Sequence, residues 1–197
     1  MQVTIQANVL KAVALFAATK AVRYYLTGLC IEASDEGTFL VGTDGVAIAV
    51  ARISAEAVPA SEIVLPGAFI GNLLKLKQYA YAFTFTDGAC NLGQLRTVTE
   101  AGSGMHAAEI DGGYPSWRRA CAPASHRDSH EYFDPKYVAL VQKAGETLNG
   151  TSKRRAVYLI KPSACIAAPA VLSDDVCVWV APRQVDTDDL PNGPVWL

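Results

Sequence analysis

The sequence has no C-x-x-C pair, no apolar run near the roughly 20 residues that cross a bilayer, and no excess of positive charge. Each absence removes a class of protein. The five cysteines, at 30, 90, 121, 165 and 177, are odd in number and scattered. Neither a disulfide framework nor a zinc knuckle is expected from them, and a reduced, cytoplasmic setting is the simpler assignment. A secretory leader is not expected either, because Lys11 interrupts the apolar stretch from Val9 to Ala18 and nothing basic precedes it. A formal net charge of −2 excludes a uniformly basic nucleic-acid binder, although a basic face can sit inside a balanced total. Phosphate-binding P-loops and dinucleotide fingerprints are also missing.

What is present suffices for a core. With 197 residues, 51% of them hydrophobic, the chain can bury one sizeable core or two small ones without metal or disulfide support. Val3 and Ile5 alternate as in a short strand, and Asn8 is placed to cap a helix in which Val9, Leu10, Val13, Leu15, Phe16 and Ala17 recur at helical spacing to about Ala21. Short strands are expected at Leu29 to Ala33, Thr38 to Gly42 and Ala47 to Ile53, between turn-rich Ser34 to Gly37 and Thr43 to Gly45.

The same order then returns. Ile63 to Leu65 reads as a strand, and Pro66 opens a helix carrying Phe69, Ile70, Leu73, Leu74 and Leu76. Strand signals follow at Ala82 to Thr86, Cys90 to Leu92, Arg96 to Thr99 and Met105 to Ile110, with Asp87-Gly88 as a hairpin turn. A third copy begins at Tyr132-Phe133, continues as a helix from Pro135 to about Leu148, and ends in strands at Ala156 to Ile160, Ala164 to Ala168 and Val176 to Val180. The repeat length is roughly 60 to 65 residues. Residues 54–61 and 121–130 have the small, polar, proline-containing composition of connectors, and the acidic, turn-rich residues after Arg183 are expected to be loosely held.

Charge divides along the same lines. The three helices carry Lys11, Lys20, Lys75, Lys77, Lys136 and Lys143, against Asp134 and Glu146. Laid side by side they make a basic surface backed by acidic sheets, which suits a phosphate backbone. The alternative is that these lysines merely solvate exposed helix faces, their commonest use.

Candidates for catalysis do not converge. Cys121, His126 and His130 sit in a polar connector without a second cysteine pair. Gly102-Ser103-Gly104 lacks the strand and helix of a nucleophile elbow, and Asp44 and Asp111 both occupy Asp-Gly turns, where the side chain usually caps backbone. No enzyme, metal or cofactor is expected.

Longer matches carry a resemblance. Arg23-Tyr24-Tyr25-Leu26-Thr27-Gly28 and Val41 to Ala49 (Val-Gly-Thr-Asp-Gly-Val-Ala-Ile-Ala) resemble paired signatures in the middle domain of the bacterial DNA sliding clamp, the DNA polymerase III beta subunit. That family writes Arg-Tyr-Tyr-Leu-Asn-Gly and Ala-Thr-Asp-Gly-His-Arg-Leu-Ala. Ile63 to Pro66 is similar to the strand before that domain's second helix, and Ile110 to Arg119 to its closing Asp-Gly-x-Phe-Pro-Asp-Tyr-Arg-Arg. Phe133 to Val138 is similar to Phe-Asn-x-x-Tyr-Leu in the last domain, and Val178 to Arg183 stands near its terminal Met-Pro-Met-Arg-Leu.

The resemblance implies an α+β sliding-clamp fold of repeated β-α-β-β-β units. Residues 1–120 would form one clamp domain of two half-repeats (1–55 and 60–120), residues 130–184 a third half-repeat, and 185–197 an acidic tail. It implies a non-catalytic processivity accessory whose helices face duplex DNA through Lys11, Lys20, Arg23, Lys75, Lys77, Lys136 and Lys143. It further implies a cleft for short peptides of polymerases and repair proteins at Leu26, Thr43, Gly45, Ile48, the Ala122-Pro123 corner, Trp179 and Ala181. Val46 and Ala47 stand where the family has His-Arg, and Ala181 where it has methionine, which implies a shallower cleft. A family ring has twelve helical units, so three per chain would close one only as a tetramer, while a dimer or an open monomer is equally allowed; a homo-oligomer is expected, with no membrane partner. The alternatives are a peptide-binding or decoy module that does not encircle DNA, and a small enzyme.

Overall fold

The protein was analysed as a computed structural model, which describes residues 2–56, 59–90, 93–121, 133–149 and 168–181. The first repeat holds β1 (Gln2–Gln6), α1 (Ala7–Ala14), a 3-10 turn (Tyr24–Thr27), β2 (Leu29–Ser34), β3 (Gly37–Thr43) and β4 (Ala47–Ser54). The second holds β5 (Ser61–Leu65), α2 (Gly67–Lys75), β6 (Ala80–Cys90), β7 (Gly93–Glu100) and β8 (His106–Ala108), followed by a short helix α3 (Trp117–Cys121). The described residues after 132 hold α4 (Pro135–Asn149), β9 (Ala168–Ser173) and β10 (Val176–Val180), the stretch expected as a third repeat.

Among the described residues two antiparallel sheets result, and the repeats share them. One runs β1-β6-β7-β8 and the other β5-β2-β3-β4-β10-β9. Thus β1 of the first repeat lies in the sheet of the second, while β5 of the second lies against β2 of the first. The third repeat extends the larger sheet, β10 pairing with β4 so that Trp179 stands opposite Ile48 and Val180 opposite Ala47.

Alternation in the strands makes two buried layers of the larger sheet. Leu29, Ile31, Leu40, Ala49, Ile63 and Val178 face the main core, while Cys30, Val41, Val50 and Val64 face a second cluster with Tyr114, and Trp117 and Trp179 pack against it. The main core is where all three long helices bury their apolar stripes: Leu10 and Val13 from α1, Phe69, Ile70 and Leu73 from α2, and Tyr137, Val141 and Ala144 from α4. Their spacing of three and four residues is what places each set on one side. Helix α1 touches both α2 and α4 and so lies between them. Gly42 permits its close approach, since a Cβ there would stand 2.7 Å from the carbonyl oxygen of Val13.

Several boundaries differ from the sequence reading. Helix α1 stops at Ala14 rather than near Ala21, because the next amides turn to tighter bonds (Phe16 N–H to the Val13 carbonyl, 3.0 Å) that bury Phe16. Gln6, not Asn8, precedes the helix; the Asn8 amide instead donates to the Leu148 carbonyl at the far end of α4. Asp87-Gly88 is no turn: β6 continues to Cys90, pairing Asp87 with Arg96 and Gly88 with Leu95, which satisfies more backbone groups than an early reversal. Strand β8 is shorter than expected, since the Met105 carbonyl closes a loop onto the Glu100 amide and Ile110 N–H leaves for Val64 in the other sheet. Strand β9 (Ala168–Ser173) runs past Ala168, where the expected strand ended, while the rest of that expected strand, the one at Ala156 to Ile160 and the acidic tail lie outside the described residues.

Candidate nucleic-acid interface and inter-repeat turn

The cations expected to face DNA are all exposed. Lys11 lies on α1, Lys20 and Arg23 in the segment after it, Lys75 at the end of α2 with Lys77 just beyond, and Lys136 and Lys143 on α4. The three helices form a layer over one core into which each sends its apolar stripe, and each leaves its lysines exposed. Two stretches that feed this layer, residues 1–31 and 63–86, contain no Asp or Glu at all. Helix α4 is balanced instead, with Asp134 just before it and Glu146 near its end. Lys75 Nζ donates to Asn72 Oδ1 at 3.0 Å, and Lys136 Nζ lies 5.0 Å from the centre of the Tyr137 ring. Between α1 and α2 the layer opens into a cleft of about 530 Å³ lined by small residues such as Ala14, Ala18, Gly67 and Gly71.

The residues expected in the peptide cleft gather less completely. Thr43 and Gly45 lie in the turn between β3 and β4, and Ala181 joins them through its N–H, which donates to the Val46 carbonyl at 3.0 Å. Ile48 and Trp179 are cross-strand neighbours, but on the outer side of the sheet, where Trp179 meets Trp117 with 6.5 Å between ring centres. Leu26 is buried at the 3-10 turn, its carbonyl accepting the Ala18 N–H. Pro123 lies outside the described residues.

The turn at 43–47 is held from every side. Gly45 takes a positive φ of 95°, a conformation costly for any other residue. Asp44 Oδ1 accepts the N–H groups of Val46 (3.0 Å) and Ala47 (3.1 Å), while Oδ2 accepts the Tyr137 hydroxyl at 2.7 Å. Thr43 N–H donates to the Tyr114 hydroxyl at 3.1 Å, and that hydroxyl reaches the Gly28 carbonyl. Tyr137 belongs to the third repeat and Tyr114 to the close of the second, so one five-residue turn carries bonds from all three. Burial raises the Tyr137 hydroxyl pKa well above that of a free tyrosine, and the bond to Asp44 and its charge add to the rise. Tyr114 is raised chiefly by burial, then by Cys30 and Glu62. Both therefore stay neutral donors. Neither was singled out by sequence reasoning; the signal for Tyr137 was its position in Phe133-Asp134-Pro135-Lys136-Tyr137, which shows type but not partner.

The candidates for chemistry have structural employment. Asp44 caps the turn, and Ser103 serves a loop in which buried Glu100 accepts the N–H groups of Gly102 and Ser103. Asp111 offers its carbonyl to the Tyr24 hydroxyl. His126 and His130 lie outside the described residues. On the outer face, Arg118 binds Glu32 and Glu36 and stacks on Trp117 and Phe39, fastening α3 to the sheet. Among the described residues no helix is long and apolar enough to cross a membrane.

Residues 2–115 match the family model for the DNA polymerase III beta subunit, central domain. The fold is similar to the DNA polymerase sliding clamp of Pseudomonas aeruginosa (TM-score 0.62, 16% identity, 94% of this chain and 67% of that one). It is also similar to the beta subunit of Thermotoga maritima (0.56, 12%, 95% and 66%) and a putative one from Eubacterium rectale (0.55, 10%, 94% and 66%). The chain thus spans about two thirds of the length of these relatives. No curated protein matches it.

Proposed function

Because the chain belongs to the DNA polymerase III beta subunit family, we propose that it is a non-catalytic, sliding-clamp-like accessory of DNA replication that rests on duplex DNA through its helix layer. The observation that carries this reading is the joint placement of α1, α2 and α4 against one core, with Lys11, Lys75, Lys77, Lys136 and Lys143 all exposed beyond it. Contacts of this kind neutralise phosphates without reading bases, so they hold a protein on DNA while leaving it free to move along the duplex. Lys20 and Arg23 extend the same field. Residues 1–120 act as a clamp domain of two half-repeats and 130–184 as a third, assembled with further copies in a homo-oligomer in the cytoplasm.

The second element of the proposal is capture of short peptides of polymerases or repair proteins beside the 43–47 turn, with Leu26, Thr43, Gly45, Ile48, Pro123, Trp179 and Ala181 as the contributing positions. The meeting of Thr43, Gly45 and Ala181 at that turn supports it, and Trp179 offers a large amphipathic contact.

The test is binding of labelled duplex across a salt series, with solution mass measured with and without circular duplex. Affinity should fall steeply with salt, and changing Lys75 and Lys77 together to alanine should flatten the slope by about two units of log K per log salt. No affinity at low salt would remove the DNA reading. Peptide capture surviving that result would leave a decoy module in its place.

A further inference from the structure

Tyr79 is 84% exposed, unusual for so large a ring, yet its backbone is fixed. It lies between α2 and β6, and its carbonyl accepts the N–H of Ala7, the first residue of α1, at 2.8 Å. Lys77 takes a positive φ of 53°, bending the chain sharply past the end of α2. On the other side Gln78 packs against the loop after β7, close enough that a Cβ on Gly102 would stand 3.2 Å from its Oε1. The segment Lys77 to Tyr79 is therefore anchored twice, and the ring projects from a rigid base.

The surroundings are cationic. Lys75 and Lys77 are exposed, and Lys11 lies one helical turn beyond Ala7. Glu100 lies beside the Gln78 contact, but it is 1% exposed and its oxygens are taken by the N–H groups of Gly102 and Ser103. The face of an aromatic ring finds nothing to stack on along an intact duplex, whose base faces are covered by their neighbours. Unpaired bases present those faces, and stacking on an aromatic side chain between phosphate-holding cations is how proteins grip single strands.

We propose that Lys75, Lys77 and Tyr79 form a binding corner for single-stranded DNA, Tyr79 stacking on an unpaired base and the two ammonium groups holding the adjoining phosphates. This rests on the reading of the helix layer as a DNA surface and adds that the layer meets an unpaired strand at the end of α2.

Anisotropy of labelled oligo(dT) and of labelled duplex at low salt tests it. Tyr79→Ala should weaken oligo(dT) binding roughly 5- to 150-fold, the range for one lost stack, and leave duplex affinity unchanged. Tyr79→Trp should restore the single-strand affinity, and an unaltered melting temperature of Tyr79→Ala shows that the fold is intact. Lys75→Ala with Lys77→Ala should weaken both ligands. Unchanged oligo(dT) binding by Tyr79→Ala, or an equal loss for both ligands, overturns the corner. Binding of duplex without oligo(dT) by the unaltered protein overturns it while the clamp-like reading stands; binding of neither removes both.

Discussion

Replacing Tyr137 by phenylalanine deletes one oxygen and with it the 2.7 Å bond to Asp44 Oδ2, which ties the third repeat to the turn between β3 and β4. The ring itself is buried and stays, so almost no packing is lost. A hydrogen bond to a charged acceptor contributes about 1.5–3 kcal/mol net, and Asp44 keeps its two backbone donors, which argues for a loss of about 2 kcal/mol. For a chain of this length that is a fall in Tm of roughly 4–8 °C. Asp44→Ala should cost more, because the amides of Val46 and Ala47 lose their acceptor as well. The decisive assay is the double-mutant cycle by urea unfolding. If Tyr137→Phe and Asp44→Ala add to within about 0.5 kcal/mol, the two groups are not coupled and the turn is not the tie described here.

Stability should also depend on alkali. Tyr114 and Tyr137 have raised pKa values when folded, so their contribution is complete below roughly pH 10, where the unfolded phenols begin to ionise, and is lost as pH climbs further. Urea midpoints measured from neutral pH upward should fall above that point, and the Tyr114→Phe, Tyr137→Phe pair should flatten the fall. Glu100 behaves oppositely: burial alone would raise its carboxyl, but the Ser103 hydroxyl and the Gly102, Ser103 and Ala82 backbone groups outweigh it and hold the pKa below the usual range. Its contribution is present above roughly pH 4.3 and lost on acidification through the lower folded value, so Glu100→Gln should shrink the acid limb of the same curve. Gly42→Ala should destabilise by about 2 kcal/mol or more, since α1 must shift away from the new methyl, whereas Gly71→Ala, exposed on α2 with nothing within 4 Å of the added carbon, should stabilise by roughly 0.5–1 kcal/mol. Chemical unfolding of both variants checks the pair.

Element type was legible wherever apolar spacing was regular. The stripe Phe69, Ile70, Leu73 and the alternation through Ala47 to Ile53 each admit one backbone solution, and both elements formed nearly where expected. Boundaries were lost where a distant partner decides. Nothing near Ala14 signals that Ala18 will bond Leu26, and nothing near Asp87 signals that Arg96 will pair with it. The cations of the candidate surface could be read by type, because an exposed lysine needs no partner. The 43–47 turn was legible as a turn from Thr43-Asp44-Gly45, but its hold was not, because that depends on Tyr114 and Tyr137, 71 and 93 residues away from the groups they bind. Tyr79 escaped for another reason: a tyrosine before a strand reads as core until its exposure is seen.

The lending of β1 and β5 across the repeats has a consequence for how the chain comes together. Gln2 must find Thr84, and Ile31 cannot finish its sheet until Ile63 arrives, so neither half closes on local contacts alone. High sequence separation of this kind slows folding and leaves unpaired edges exposed in the meantime. On the ribosome, the smaller sheet cannot be completed before residues through Ala108 have emerged. A gene split between β4 and β5 would yield two fragments that each carry a strand belonging to the other, which is the arrangement from which complementation, or swapped dimers, arise.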